Sequence, residues 1–267
     1  MPPIALISDL GTKDYFVSAM KGVILSINPN ASIVDITHEL PKGNITVAAF
    51  TLVNAIETFP EGSIAVAVVD PGVGTRRKCI LLETKNKMLF VGPDNGIFTL
   101  VAERFKVKGI YEIANRALMR SPISATFHGR DIMAPVAAHL SLGLKPPEVG
   151  PRLRTFKKLK IQKPKLVKSG ISGCVLNIDD FGNIVSNIDA RTASRLLRLN
   201  RFARVRLKGK EFPVKFVKTF GDVKPGECLC YIGSAGLLEV AKNMGNLAAA
   251  VGAELGDEIV VEGGVKK

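Results

Sequence analysis

"IAVAVVDPGVGTRRKCI", residues 64–80, is the stretch whose reading decides the fold. From Ile64 to Val69 it is apolar without alternation, the pattern of a strand buried on both faces of a largely parallel sheet. The run ends on Asp70, turns through Pro71, Gly72 and Gly74, and then presents Arg76 and Arg77. Open α/β sheets bind ligands where loops leave the carboxyl ends of their strands. An acid at that point, with two cations folded back towards it, is either a ligand-facing group or an ion pair closing a turn.

Outward from this strand, the first half of the chain alternates strand and helix patterns. Strands are expected at 3–8, 32–36 and 64–70, followed by "KCILLE" and "KMLFV". Helices are expected at 14–27, with Thr12 as cap, at 44–59, opened by Asn44, at 96–105, and at 129–143 around Pro135. This alternation predicts an α/β N-terminal domain, residues 1–155, with a mostly parallel central sheet. After a basic stretch the pattern becomes short β segments punctuated by glycine, with one helix expected near 239–252. Residues 169–267 therefore read as a smaller, β-rich, mainly antiparallel and barrel-like C-terminal domain, joined through a basic linker at 156–168.

With 46% hydrophobic and 23% charged residues, the 267-residue chain has a globular composition. Lys, Asp or Pro interrupts every apolar run before it reaches membrane-spanning length, so no membrane partner is expected. The start "MPPIALISDLG" lacks a basic leader region, and the four cysteines read as reduced packing thiols. "CLC" at 228–230 has no second ligand pair, so no metal is expected. These features place the protein in the cytoplasm. The formal charge of +13 would suit a polyanion, and its densest cluster is "PRLRTFKKLKIQKPKLVK", 151–168. Aromatic RNA-binding motifs, zinc-finger spacings and tryptophan are missing, so the cluster reads as a solvated connector and nucleic acid is the lesser alternative.

Three acids lie at strand ends or within strands: Asp9 in "SDLGTKD", with Asp14 beyond it, Asp35 in "IVDI", and Asp70. Each alone could be a turn or capping residue. Neither "DLGTKD" nor "DPGVGT" matches a phosphate loop, and an acid at the loop mouth would repel phosphate. A nucleoside fits better, because a carboxylate can accept both ribose hydroxyls. Of three histidines, His139 falls on an apolar helix face, His38 follows a strand, and His128 in "TFHGRD" stands at a helix start. There the helix dipole and Arg130 are expected to keep the imidazole neutral.

Six blocks together resemble the S-adenosyl-L-methionine hydroxide adenosyltransferases, relatives of fluorinases and chlorinases. They are "SDLGTKDYFVSAMKGVILSINPNASIVDITHEL", "FPEGSIAVAVVDPGVGTRR", "VGPDNG", "TFHGRD", "DDFGNIVSNI" and "YIGSAGLLEVAKN", and they span essentially the whole chain in order. The resemblance implies an enzyme hydrolysing S-adenosyl-L-methionine to adenosine and methionine, with that compound as substrate and no cofactor. It implies a homotrimer with active sites between the N-terminal domain of one subunit and the C-terminal domain of its neighbour. It carries an Asp/Arg/His catalytic set onto Asp70, Arg77 and His128. Arg77 is matched rather than Arg76, because the family pattern reads DPGVG, then two residues, then its arginine. Asp9 would hold the ribose diol and Asn183 the adenine; Asp14, Asp179 and Ser234 would hold the methionine end, and Phe181 and Glu239 would line the pocket. A halogenase of the same family is the alternative, disfavoured because an ionised Asp70 would repel a desolvated halide.

Overall fold

A computed structural model describes residues 1–264. The described chain forms two compact units, the first Met1–Lys160 and the second beginning at Ile161. The first unit carries β1 (Ile4–Ser8), α1 (Phe16–Ile27), β2 (Ile33–Thr37), α2 (Ile45–Ile56), β3 (Ile64–Val68), β4 (Cys79–Thr84), β5 (Leu89–Pro93), α3 (Thr99–Phe105), β6 (Val107–Glu112) and α4 (Ala134–Ser141). Its six strands form one sheet in the order β2-β1-β3-β5-β4-β6. The β1–β2, β1–β3 and β3–β5 pairs are parallel, and β4 runs antiparallel to both β5 and β6.

Every residue of β1 and β3 is buried, as the unbroken apolar run 64–69 requires. On one face Ile4, Leu6, Ile64, Val66 and Val68 pack with Met20 and Ile24 of α1 and Val136 and Ala137 of α4. The alternate residues Ala5, Ile7, Ala65 and Ala67 are equally buried towards the opposite face, where α2 and α3 pack together. The chain leaves β1 towards β2 on one side and later places β3 on the other, so the sheet's direction of winding reverses between β1 and β3. Crevices form outside the carboxyl ends of strands at such a point.

The second unit carries β7 (Lys165–Val167), β8 (Gly170–Ile178), β9 (Ile184–Asp189), α5 (Ala190–Ala193), β10 (Phe202–Leu207), β11 (Lys210–Phe216), β12 (Cys228–Ile232), β13 (Leu237–Lys242), α6 (Leu247–Val251) and β14 (Glu258–Gly263). Seven strands, β14-β10-β11-β12-β13-β9-β8, close into a barrel-like ring through the β14–β8 pairing, and β7 is added to β8. All pairings are antiparallel except β11–β12. Inward residues such as Val205, Val214, Cys230, Val240 and Ile259 fill the ring, and Cys228 packs at its margin.

Several expected boundaries move. The first helix begins at Phe16 after Tyr15, and Thr12 does not cap it; its hydroxyl instead donates to Glu39 at 2.9 Å. Residues 237–242 are a strand, so the helix expected over 239–252 shrinks to Leu247–Val251, capped by Asn246 and ended by Gly252 in the left-handed region. The helix expected over 129–143 opens with a wide π-helical turn, Gly129–Met133, and Pro135 sits harmlessly in the first turn of α4. Within the basic stretch, the Lys157 amide donates to Asp94 and the Leu159 amide to Thr99, while 165–167 is β7. Among the described residues no helix is long and apolar enough to cross a membrane.

Leu6 lies fully buried in the strand at the centre of this architecture. Leu6→Ala is expected to cost about 2–5 kcal/mol, read as a lowered denaturation midpoint.

Candidate active site

The Asp70 loop leaves β3 exactly where the sheet reverses direction, and Asp9 leaves neighbouring β1 at the same end. The Asn95 carboxamide donates to the Val69 carbonyl at 2.8 Å and fixes the backbone entering the loop. The turn is then closed by Val73 N–H donating to Asp70 O and Thr75 N–H to Gly72 O. Gly74 has φ +78° and a Cβ there would lie 2.7 Å from the Ala125 carbonyl, so only glycine lets this loop press against the segment that leads into His128.

The two loops meet at Arg77. Its Nη2 lies 2.5 Å from Asp70 Oδ2 and 2.7 Å from His128 Nδ1, and its Nη1 donates to Cys79 Sγ at 2.9 Å. The side chains of Asp70 and Arg77 are only 6% and 10% exposed. Burial opposes the arginine's charge most strongly, but its contacts to Asp70 and Cys79 together outweigh that and hold the guanidinium above its ordinary pKa. Burial also pushes the Cys79 thiol up, so its sulfur accepts as a neutral group. Arginine can only donate, so Nδ1 of His128 is the accepting nitrogen and the neutral ring carries its proton on Nε2.

His128 titrates below its ordinary value because of burial first and the Arg77 charge second, with Asp70 and Asp131 pulling the other way. Neutrality was expected from Arg130 and the helix dipole, but Arg130 is committed elsewhere. Its Nε and Nη2 grip the fully buried Asp131 at 2.7 and 2.9 Å, and Ser124 N–H adds a third bond to that carboxylate at 2.8 Å. Asp131 thus ties down the turn that presents His128.

Among the described residues, buried side-chain nitrogen or oxygen atoms without a hydrogen-bond partner occur on His38, Asp70 and Arg77. His38 Nε2 still faces Asp35 Oδ1 at 3.1 Å, and its Nδ1 lies 2.7 Å from the Ser8 hydroxyl, a structural arrangement. Asp70 Oδ1 has no such company. The residue lines a cavity of about 220 Å³ together with Asp9, Val73, Thr126, Phe127, His128 and Gly129. A Cβ on Gly129 would crowd Val68 at 3.1 Å and Met20 at 3.3 Å. Asp9 accepts from Gly43 N–H at 2.7 Å through Oδ2, and its backbone carbonyl accepts from Lys42. Asp14 is exposed ahead of α1 and does not line this cavity. Sequence reasoning missed Cys79 as Arg77's anchor; Arg77 lies ahead of β4, so strand alternation gave no signal for the pair.

The remaining expected residues gather on the second unit. The Asp179 carboxylate accepts from Phe181 N–H at 3.0 Å, Asn183 N–H at 2.8 Å and the Asn183 carboxamide at 2.8 Å. Asn183 therefore keeps its carbonyl oxygen for another partner. A hollow of about 570 Å³ is lined by Asp179, Asn183, Phe220, Lys242, Met244 and Phe181, a residue 79% exposed. Phe220, Lys242 and Met244 were not anticipated. Glu239 lies under the β12–β13 turn, where a Cβ on Gly233 would collide with it, and accepts from the Tyr231 hydroxyl at 2.6 Å. Burial, with the Asp179 charge adding to it, raises the Glu239 carboxyl against that hydrogen bond. Ser234 is exposed in that turn, and neither Ser234 nor Glu239 lines the hollow.

Comparison with known proteins matches this architecture. The SAM hydroxide adenosyltransferase N-terminal domain model matches residues 4–150, and the corresponding C-terminal domain model matches residues 173–260. An (R)-S-adenosyl-L-methionine hydrolase from Thermus thermophilus is 38% identical, over 96% of this chain and 98% of its own. A fluorinase from Actinoplanes is 31% identical, over 92% and 93%. A crystallised, uncharacterised conserved protein from Thermotoga maritima superposes with a TM-score of 0.92 at 44% identity, covering 97% of this chain and 99% of that one. With both domain models matched in order and relatives aligned over nearly their full length, the chain belongs to the SAM hydroxide adenosyltransferase family.

Proposed function

We propose that this protein hydrolyses S-adenosyl-L-methionine to adenosine and L-methionine, with water attacking C5′ of the ribose. The observation that carries the reading is Asp70, a residue lining the cavity, with Oδ1 buried and unpartnered and its other oxygen held by Arg77. The substrate's sulfonium leaves as a neutral thioether, so the departing group needs neither a general acid nor a cofactor. The nucleophile is the difficult partner, because water has a pKa of about 15.7. It must be oriented in line with C5′ and must lose a proton as the C–O bond forms.

The hydrogen-bond directions divide the labour. His128 cannot be the first acceptor, since Nδ1 is occupied by Arg77 and Nε2 carries a proton. Asp70 Oδ1 takes the proton as the C5′–O bond forms and the C5′–S bond breaks, its electron pair departing with sulfur. Arg77 keeps that carboxylate fixed, His128 donates its Nε2–H to the oxygen of the attacking water, and the proton leaves Asp70 for solvent once the products depart. Asp9, at the same cavity, is placed to accept the ribose hydroxyls, and with Asp70 gives this pocket the sign opposite to the sulfonium despite the basic protein around it. The same carboxylate disfavours a halide nucleophile, which would meet a like charge after losing its water.

On the second unit, the free carbonyl oxygen of Asn183 suits the adenine amino group, and exposed Phe181 suits a ring face. Asp14, Asp179 and Ser234 complete the expected methionine side, and Glu239 the pocket lining. A cavity of about 220 Å³ is smaller than the roughly 300–1,000 Å³ of sites that bury a whole ligand. A homotrimer, with the first unit of one subunit facing the second unit of a neighbour, supplies the rest. The four free thiols fit a reducing compartment, the cytoplasm.

Incubation with S-adenosyl-L-methionine is expected to give adenosine and methionine in equal amounts, and no halogenated nucleoside in chloride; intact substrate after long incubation would sink the hydrolase reading. Asp70→Asn should lower kcat by at least about 100-fold while substrate affinity changes far less. NMR titration should find the His128 midpoint below 6.5, the usual value for histidine. In Arg77→Ala that midpoint should rise, since a neighbouring positive charge has been removed. Light scattering at micromolar concentration should report a trimer.

A further inference from the structure

A second cavity, of about 350 Å³, lies on the far side of the same catalytic groups, and the proposed hydrolysis makes no use of it. His128 lines both cavities, whereas Arg77 and Cys79 line only this one and Asp70 and Asp9 only the other. Its charged lining is Arg76, Arg77, Lys78 and Arg116 against a single acid, Glu112. Lys78 Nζ lies 2.7 Å from Glu112 Oε2, so the acid is already matched. Arg76 and Arg116 stand at exposed positions and make no ion pair among the described residues. The remaining lining is apolar, including Ile113, Met119, Ile123 and Ile132.

Arg77 supplies an independent pointer. Its side chain is 10% exposed, and its Nε–H is buried with no acceptor. Nη1 and Nη2 are spent on Cys79, Asp70 and His128, which leaves Nε as the donor still lacking a partner. A buried, charged N–H without an acceptor is costly, and a second anionic group is the partner that would satisfy it. Planar guanidinium groups match tetrahedral oxyanions by paired donors, and three of them converge on this one cavity.

We propose that the cavity formed by Arg76, Arg77, Lys78 and Arg116 is a binding site for a free tetrahedral oxyanion of the phosphate class. The site is separate from the cavity assigned to the ribose, and its occupant lies across His128 from the attacking water. Its anion preference comes from side chains on the β3–β4 loop and the segment after β6, not from the overall charge of the chain.

Isothermal titration of the full-length protein with inorganic phosphate, at fixed ionic strength, tests the proposal without any turnover, so it stands or falls apart from the hydrolase reading. The wild type should bind one phosphate per chain. Arg76→Ala combined with Arg116→Ala should weaken binding at least tenfold, and both positions are exposed, so an unchanged denaturation curve is expected alongside. Lys157→Ala combined with Lys160→Ala removes two exposed cations elsewhere and should leave binding within twofold of wild type. Lack of phosphate binding by the wild type overturns the proposal. So does binding that survives loss of Arg76 and Arg116, or binding that falls equally in the lysine control.

Discussion

One guanidinium organises this protein's chemistry. Arg77 binds a carboxylate, an imidazole and a thiol at once, at 2.5, 2.7 and 2.9 Å. These contacts lock the rotamer of Asp70, dictate the tautomer of His128 and use a neutral sulfur as the third anchor. Because the pair is buried, removing either member leaves an uncompensated charge, which typically costs about 3–5 kcal/mol. The arrangement is therefore mutually enforcing: the arginine stays because the acid is there, and one oxygen of the acid is released for other work because the arginine holds its twin.

The fold makes this meeting possible through two features of the backbone. Parallel strands β1 and β3 are neighbours, but their crossovers leave in opposite directions, so their loops separate and open a crevice. Gly74 then lets the β3 loop contact the Ala125 carbonyl, bringing Arg77 within reach of a histidine 51 positions later in the chain. The wide turn at Gly129–Met133 is held from behind by Asp131, whose partners Arg130, Arg120 and Ser124 surround a fully buried carboxylate. Positioning thus rests on groups that take no part in the chemistry.

Much of the architecture was legible because burial writes directly into sequence. The unbroken apolar run at 64–69 could only be an interior strand, and Val17, Met20 and Ile24 showed the inner face of α1. Local signals failed where distant partners decide. Thr12 looked like a cap but serves Glu39 across the loop. The segment 237–242 carried helix-forming neighbours, yet pairing of Tyr231 with Glu239 on the adjacent strand fixes it as β structure. Arg130 looked like the charge that governs His128, but an adjacent buried acid claims it. The glycine turn suggested that a cation would fold back onto Asp70, but the choice of Arg77 and the arrival of His128 came from resemblance alone, as did the grouping of Asp179, Phe181 and Asn183.

Closure of the second unit's ring has a consequence for biosynthesis. Its last strand, Glu258–Gly263, is the one that pairs with both β10 and β8 and so removes the open edges. The first unit has all six of its strands by residue 112, and its final helix by residue 141. On a ribosome the amino-terminal half can finish folding while the remainder is still being made, as domains generally do. The carboxyl-terminal half must wait with two unpaired strand edges until translation is nearly complete, and a nascent chain stopped short of residue 258 would carry those edges exposed.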